Sequence, residues 1–318
     1  MRVPDFFIIG APKCGTNALY SYLKEHPQVY MPDLKEPQYF SRDFPDLAQV
    51  DSQDDYARLF ASAPAGAVLG EASVWYLYSD AAVPAIRAAN PAAKFIAILR
   101  NPIDAAHSLH TQFLRSLKES EHDFETAWNL QEERRHGRKL PRYCPEPRCV
   151  QYQEAHSFGL QVQRLMERVP VDQLKVLIYE EFFADARRGY SELLEFLGLK
   201  PDGRTEFAVA NESRAARSRT VMRFLDGATA ALPGDLVAYR RALRTLGIRP
   251  LRLLSRHNTL PAARPPLRPE TRRAVAEALA ADVRRLESVL DRSLACWPDF
   301  TPASPSAAGP RPQTLPAC

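Results

Sequence analysis

The stretch Asp5-Phe-Phe-Ile-Ile9, followed at once by Gly10-Ala-Pro-Lys-Cys-Gly-Thr16, limits the fold more than any other part of the chain. The first part is a short, unbroken apolar run with no polar alternation. Both faces of such a strand must be covered, as in a parallel sheet. The second part turns on two glycines. It leads into 16–25, where Leu19, Tyr22 and Leu23 share one helical face and Thr16 stands where a helix cap is expected. A buried strand, a glycine turn and a helix form half of a βαβ unit.

The same alternation continues. Ala67-Val-Leu-Gly70, Lys94-Phe-Ile-Ala-Ile-Leu99 and Leu174-Lys-Val-Leu-Ile-Tyr179 read as strands. Helical patterns fall at 53–62, 80–89, from Asn101-Pro102 to about 117, and at 123–136, 152–169 and 187–197, the last ended by Gly198. A long amphipathic helix is expected over 269–293, with Val275, Leu279, Val283, Leu286 and Leu290 on one side. Strands alternating with helices imply an α/β fold with a central, mostly parallel sheet flanked by helices. The segments 31–50 and 137–150 read as polar or basic loops, and 204–265 is Arg-rich and gives no clear pattern. After Trp297 the composition collapses to Pro, Ala and Ser. The expected division is therefore one domain over 1–300 and a loose tail over 301–318.

Two places along this frame carry chemistry. In Gly10-Ala-Pro-Lys13-Cys14-Gly15-Thr16-Asn17 a glycine allows close backbone approach, a helix N-terminus attracts an anion, and Lys13 adds a full charge. A tight turn with no ligand explains the same residues equally well. It is not a Walker A loop, because no lysine stands between Gly15 and Thr16. The second place is Leu99-Arg100-Asn-Pro-Ile-Asp-Ala-Ala-His-Ser108. Arg100 closes a strand, at the end where open α/β sheets bind ligands, and Ser108 lies in the next helix. An arginine fork suits a phosphate. Taken alone, a surface ion pair and a helix serine bonded to its own backbone are the simpler account.

Together, Pro12-Lys13-Cys-Gly15-Thr16 and the Arg100/Ser108 spacing resemble the nucleotide sites of sulfotransferases that use 3′-phosphoadenosine 5′-phosphosulfate (PAPS). His26-Pro27, Lys35-Glu36-Pro-Gln-Tyr-Phe40, Phe196-Leu-Gly198-Leu and Leu294-Ala-Cys-Trp297-Pro are also similar to that family, over roughly residues 5–298. Bacterial members and the glycan branch are nearest. The resemblance implies a three-layer P-loop-type fold and an enzyme of the EC 2.8.2 kind. It makes PAPS the donor, adenosine 3′,5′-bisphosphate the product, and a hydroxyl or amine of a glycan, glycolipid or secondary metabolite the acceptor. It makes Lys13 the group that stabilises the departing sulfuryl charge, with Cys14, Gly15, Thr16 and Asn17 holding the 5′-phosphate and Arg100 and Ser108 the 3′-phosphate. Glu36 takes the position of the catalytic base, although on bare sequence it reads as a solvated loop carboxylate. Arg217 and Arg219, in a basic loop, are further phosphate candidates, or simply solvated charge.

Two departures stand out. The glycan branch carries Glu-Lys-Ser/Thr-Pro where this chain has Glu71-Ala72-Ser73-Val74, so a lysine is missing, and Lys35 is one candidate to supply its charge. The Lys-Thr-His base segment of the cytosolic branch is also absent, and His107 and His110 read as structural or acceptor-side.

Charge and composition narrow the partners. With 42 basic and 38 acidic residues, the net charge of +4 is too small to argue for nucleic acid. The five cysteines are too sparse for a disulfide framework. Cys144 and Cys149 either pair, hold a metal, or are two thiols in a loop. The reaction as read requires no metal. No apolar run has the length of a membrane span, and no leader is seen, so a cytoplasmic protein is expected. The competing readings are a P-loop kinase or NTPase, disfavoured by the missing Walker lysine and by Arg100 where an acidic strand end is needed, and a sulfotransferase fold retained only for binding.

Overall fold

The computed structural model describes residues 2–116, 118–144, 146–207, 214–216, 259–261 and 266–301. The expected tail beyond 301 and the candidates Arg217 and Arg219 lie outside the described residues. The first run forms β1 (Phe6–Gly10), every residue of which is buried. Burying each of its Phe and Ile side chains contributes about 1.5–3 kcal/mol. The turn after it leads into α1 (Thr16–Lys24), where Gly15 rather than Thr16 occupies the cap position. Then come β2 (Val29–Tyr30), α2 (Gln53–Arg58), β3 (Val68–Ala72), α3 (Ala82–Ala89) and β4 (Lys94–Leu99). β4 feeds α4 (Pro102–Arg115), whose cap is Asn101: its side chain accepts from the Ile103 amide at 3.1 Å, and Pro102 opens the helix.

The helical stretch expected over 123–136 divides at Leu130 into α5 (Phe124–Asn129) and α6 (Gln131–Arg135). The one expected over 152–169 breaks at His156 into α7 (Tyr152–Ala155) and α8 (Phe158–Met166). β5 (Leu174–Ile178) stops one residue short of the expectation, because Tyr179 starts a helix that periodicity had not revealed, α9 (Tyr179–Ala184). α10 (Ala186–Leu197) ends at Gly198 as expected. β6 (Arg214–Ala216) and β7 (Thr259–Pro261) pair antiparallel, and α11 (Pro269–Leu290) is the long amphipathic helix.

The main sheet runs β2-β3-β1-β4-β5, and every neighbouring pair in it is parallel. β1 lies at the centre. The chain leaves it toward the β2 edge, returns through β3, and then continues on the other side with β4 and β5. The strand order therefore reverses around β1, and the carboxyl ends of β1 and β4 lie side by side at the position where such sheets bind ligands.

The C-terminal part is tied to this place. Trp297 is fully buried and donates to Glu180 at 2.8 Å, and the other Glu180 oxygen accepts the Asn101 amide at 3.0 Å. Asn101 and Arg272 both donate to Asp299, and Arg272 also reaches Asp104. α11 meets α8 through Asp282, which accepts the amides of Gly159 and Leu160. Arg134, Arg135 and Arg138, which lie in one basic stretch, each pair with acidic side chains. Arg134 is buried and makes a two-pronged pair with Glu119, both bonds 2.8 Å, joined by the Tyr152 hydroxyl at 2.7 Å. Arg135 pairs with Glu132 and Glu154, and Arg138 with Glu133.

Candidate active site

The turn at the end of β1 is fastened to the neighbouring strand by the Ala11 amide, which donates to the Ile98 carbonyl at 2.8 Å. Lys13 and Gly15 take positive φ angles of 66° and 95°. No side chain caps α1, so the amides and dipole at its first turn favour an anion. Gly15 is required for two reasons. Its φ suits glycine, and an added Cβ would sit 2.9 Å from Phe183 and 3.0 Å from Tyr179.

That contact joins the turn to Arg100. The Arg100 guanidinium lies over the Tyr179 ring, 4.8 Å from its centroid, so the same ring packs near Gly15 and supports the arginine. Arg100 Nε is buried and has no hydrogen-bond partner. An arginine held by stacking, with a buried donor unspent, suits an anion arriving from outside the chain. Cys14 is buried beside it and bonds the Pro12 carbonyl at 3.4 Å. Burial pushes its thiol up to about 12, against the opposing pull of Arg100 and Lys13. Cys14 is thus a packing residue that brings its backbone to the turn, and no nucleophile.

Lys13 reaches across to α4, where its ammonium donates to the Gln112 side-chain oxygen Oε1 at 2.7 Å. Gln112 stands one helical turn beyond the half-buried Ser108, so both present toward the same side of α4. Lys13, Arg100 and the Ser108 face of α4 are in this way gathered around one turn.

Glu36 comes from the segment after β2. Lys35 donates to its carboxylate at 3.3 Å and also to the Asn17 side chain, linking Glu36 to the first turn of α1. Burial lowers the Lys35 pKa, and the Glu36 charge opposes that fall. Ala72, which stands where the glycan branch carries a lysine, lies beside this group: its carbonyl accepts the Glu36 amide at 2.9 Å. The Lys35–Phe40 segment is anchored from behind by the fully buried Glu71, whose carboxyl is pushed up to about 7 by burial, against hydrogen bonds from Ser73, Tyr56 and Tyr76.

His110 is buried, bonds the Glu121 carbonyl at 2.8 Å and has its pKa lowered by burial, so it is a neutral core residue. The His107 ring packs on Phe124. Cys144 and Cys149 are free thiols and do not pair with each other. Sequence reasoning missed Tyr179, Gln112 and Glu71. Tyr179 follows the carboxyl end of β5, the same signal that singled out Arg100. Gln112 is four residues after Ser108.

The sulfotransferase domain model matches residues 3–213, about two thirds of the chain. The chain belongs to the sulfotransferase family. Among curated relatives it is 24% identical to carbohydrate sulfotransferase 15 of Mus musculus, over 68% of this chain and 47% of that protein. It is 28% identical to bifunctional heparan sulfate N-deacetylase/N-sulfotransferase 3 of Homo sapiens, over 63% of this chain and 23% of that protein. The chain thus spans less than half the length of these relatives. Among solved structures, a sulfotransferase from Alicyclobacillus acidocaldarius superimposes with a TM-score of 0.67 at 26% identity, covering 94% of this chain and 100% of that one. A mouse sulfotransferase complexed with PAP shares the fold, with a TM-score of 0.52 at 14% identity over 95% of this chain and 90% of that one. Among the described residues, no helix is long and apolar enough to cross a membrane.

Proposed function

We propose that this chain, acting as one domain over 1–300, transfers a sulfuryl group from PAPS to a hydroxyl or amine of a carbohydrate. The observation that carries the donor assignment is the Gly15–Tyr179–Arg100 contact. It sets a stacked arginine, with a buried donor unspent, against an uncapped helix N-terminus that also carries Lys13. Two cationic groups at adjacent strand ends fit a donor with two separate phosphates. Lys13, Cys14, Gly15, Thr16 and Asn17 hold the 5′-phosphosulfate end, and Arg100 and Ser108 the 3′-phosphate. Arg217 and Arg219 remain candidates for the same phosphates.

Glu36 accepts the proton of the attacking acceptor group while its oxygen or nitrogen bonds to sulfur. The bond from sulfur to the phosphate oxygen breaks, and Lys13 meets the charge left on that oxygen. Adenosine 3′,5′-bisphosphate is released. Lys13 gives up Gln112 for this role, and the Lys35 ammonium beside Glu36 supplies charge that Ala72 does not. The names of the relatives, carbohydrate sulfotransferase and heparan sulfate N-sulfotransferase, support a glycan acceptor.

The test is calorimetric titration with adenosine 3′,5′-bisphosphate without metal, beside ATP with Mg²⁺. Charge-assisted hydrogen bonds contribute about 1.5–3 kcal/mol each. Binding of the bisphosphate should therefore weaken more than tenfold in Arg100→Ala and in Lys13→Ala. Mg²⁺-dependent ATP binding with no preference for the 3′-phosphate would overturn the reading.

A further inference from the structure

Glu71 is the penultimate residue of β3 and has no exposed surface. One carboxylate oxygen accepts from the Ser73 hydroxyl at 2.6 Å. The other accepts from the Tyr56 hydroxyl at 2.6 Å and, more weakly, from the Tyr76 hydroxyl at 3.4 Å. A hydroxyl has one proton, so one that donates it to a carboxylate turns its lone pairs outward as acceptors. Two of the three are used in that way. The Ser73 oxygen accepts the Gln38 amide at 3.2 Å, and the Tyr76 oxygen accepts the Phe40 amide at 3.2 Å. The next residue of β3 completes the series, because the Ala72 carbonyl accepts the Glu36 amide at 2.9 Å.

The amides of residues 36, 38 and 40 are thus all received at or next to one buried carboxylate. Glu36 and Gln38 have φ angles of 60° and 54°, the left-handed region that residues with a side chain enter only when their surroundings hold them there. The Gln49 side chain also donates to this segment, to the Glu36 carbonyl at 2.6 Å and to the Lys35 carbonyl at 3.1 Å. The conformation that presents Glu36 is therefore fixed by a polar clamp, with Glu71 orienting the inner half of it.

We propose that Glu71 is a positioning residue for sulfuryl transfer, which acts through Glu36 by orienting the Ser73 and Tyr76 hydroxyls that hold the Glu36–Phe40 backbone. This rests on the reading of Glu36 as the base. Glu71 does not line the donor site: the turn carrying Lys13 and the strand end carrying Arg100 have their own anchors, in Ile98, Gln112 and Tyr179.

The experiment is a double-mutant cycle with Glu36→Gln, Glu71→Gln and the double variant. It is read by [³⁵S]PAPS turnover on desulfated chondroitin and N-desulfated heparin, by calorimetry with adenosine 3′,5′-bisphosphate, and by hydrogen exchange, which needs no acceptor. In Glu71→Gln the amides of 36–40 should exchange at least tenfold faster, with those of 6–16 unchanged. Bisphosphate affinity should stay within twofold while kcat falls at least tenfold, and the double variant should be no slower than Glu36→Gln. Unchanged exchange at 36–40 overturns the proposal, as does a fall in bisphosphate affinity alongside kcat, or multiplicative losses in the double variant. If Glu36→Gln turns over like wild type, the assignment of the base fails instead, whatever Glu71→Gln does. Should Glu71→Gln not fold, Tyr76→Phe removes the acceptor of the Phe40 amide while keeping the ring, and the same exchange and kcat criteria apply to it.

Discussion

Replacing Glu71 by Gln should change how the stability of this protein depends on pH. Burial pushes the Glu71 carboxyl from its ordinary 4.5 up to about 7, with three hydroxyl donors acting in the opposite direction. The folded state therefore binds this proton more tightly than the unfolded chain does. Below pH 4.5 the group is protonated in both states and favours neither. Between 4.5 and 7 the unfolded chain has released the proton and the folded chain has not, so stability falls as pH rises, by up to about 1.4 kcal/mol per pH unit. Above 7 both states are ionised and the loss levels off at about 3 kcal/mol. Gln is uncharged throughout and makes no such pH-dependent contribution, while every other titrating group is common to the two proteins. Urea unfolding of both at half-unit steps from pH 4.5 to 8.5 isolates it by difference. The stability of Glu71→Gln relative to wild type should rise by about 3 kcal/mol across the range, with most of the change complete by pH 7. Parallel curves would overturn this expectation. They would mean that Ser73, Tyr56 and Tyr76 together outweigh burial and keep Glu71 ionised in the folded protein.

Two other perturbations test neighbouring parts of the structure. Gly15→Ala forces a side chain into a left-handed position and drives its methyl group into Phe183 and Tyr179. It should cost about 1–2 kcal/mol of stability for the backbone alone and weaken adenosine 3′,5′-bisphosphate binding at least tenfold, by unfolding and calorimetry, with Phe183→Ala relieving only the part of the clash that Phe183 makes. Arg134→Ala leaves Glu119 charged and fully buried without its partner, so urea unfolding should show a loss of about 3–5 kcal/mol, whereas replacing both members by similarly sized apolar residues should cost far less.

The parts of this fold that were legible in the sequence are those fixed by short-range physics. The buried runs at 5–9 and 94–99 could only be strands covered on both faces, and Asn101-Pro102 could hardly avoid starting a helix. Lys13 and Arg100 each had an ordinary alternative, and they stood out only because two cations at the carboxyl ends of parallel strands combined with the family resemblance. What stayed hidden depends on contacts between distant segments. Tyr179 looked like the last residue of an apolar strand, and nothing local says that its ring lies between Gly15 and Arg100, more than 160 and 70 residues away in sequence. The breaks at Leu130 and His156 were invisible because both flanking pieces keep a helical period.

Glu36 illustrates the limit most sharply. In 31–50 there is no periodicity to read, and the carboxylate passes for solvated charge. Its conformation is set by Ala72, Ser73 and Tyr76, which are 36 or more residues further on, and through them by Glu71. A buried acid at a strand end is costly unless several donors meet it. Here two of those three donors, Ser73 and Tyr76, are the hydroxyls that receive the loop. The acidic side chain that looks least explicable in β3 is thus what allows a segment without regular structure to hold two left-handed residues in place. For this reason the proposed base and its anchor should fail together when Glu71 is changed, while the donor site, built on β1, β4 and α9, should remain intact.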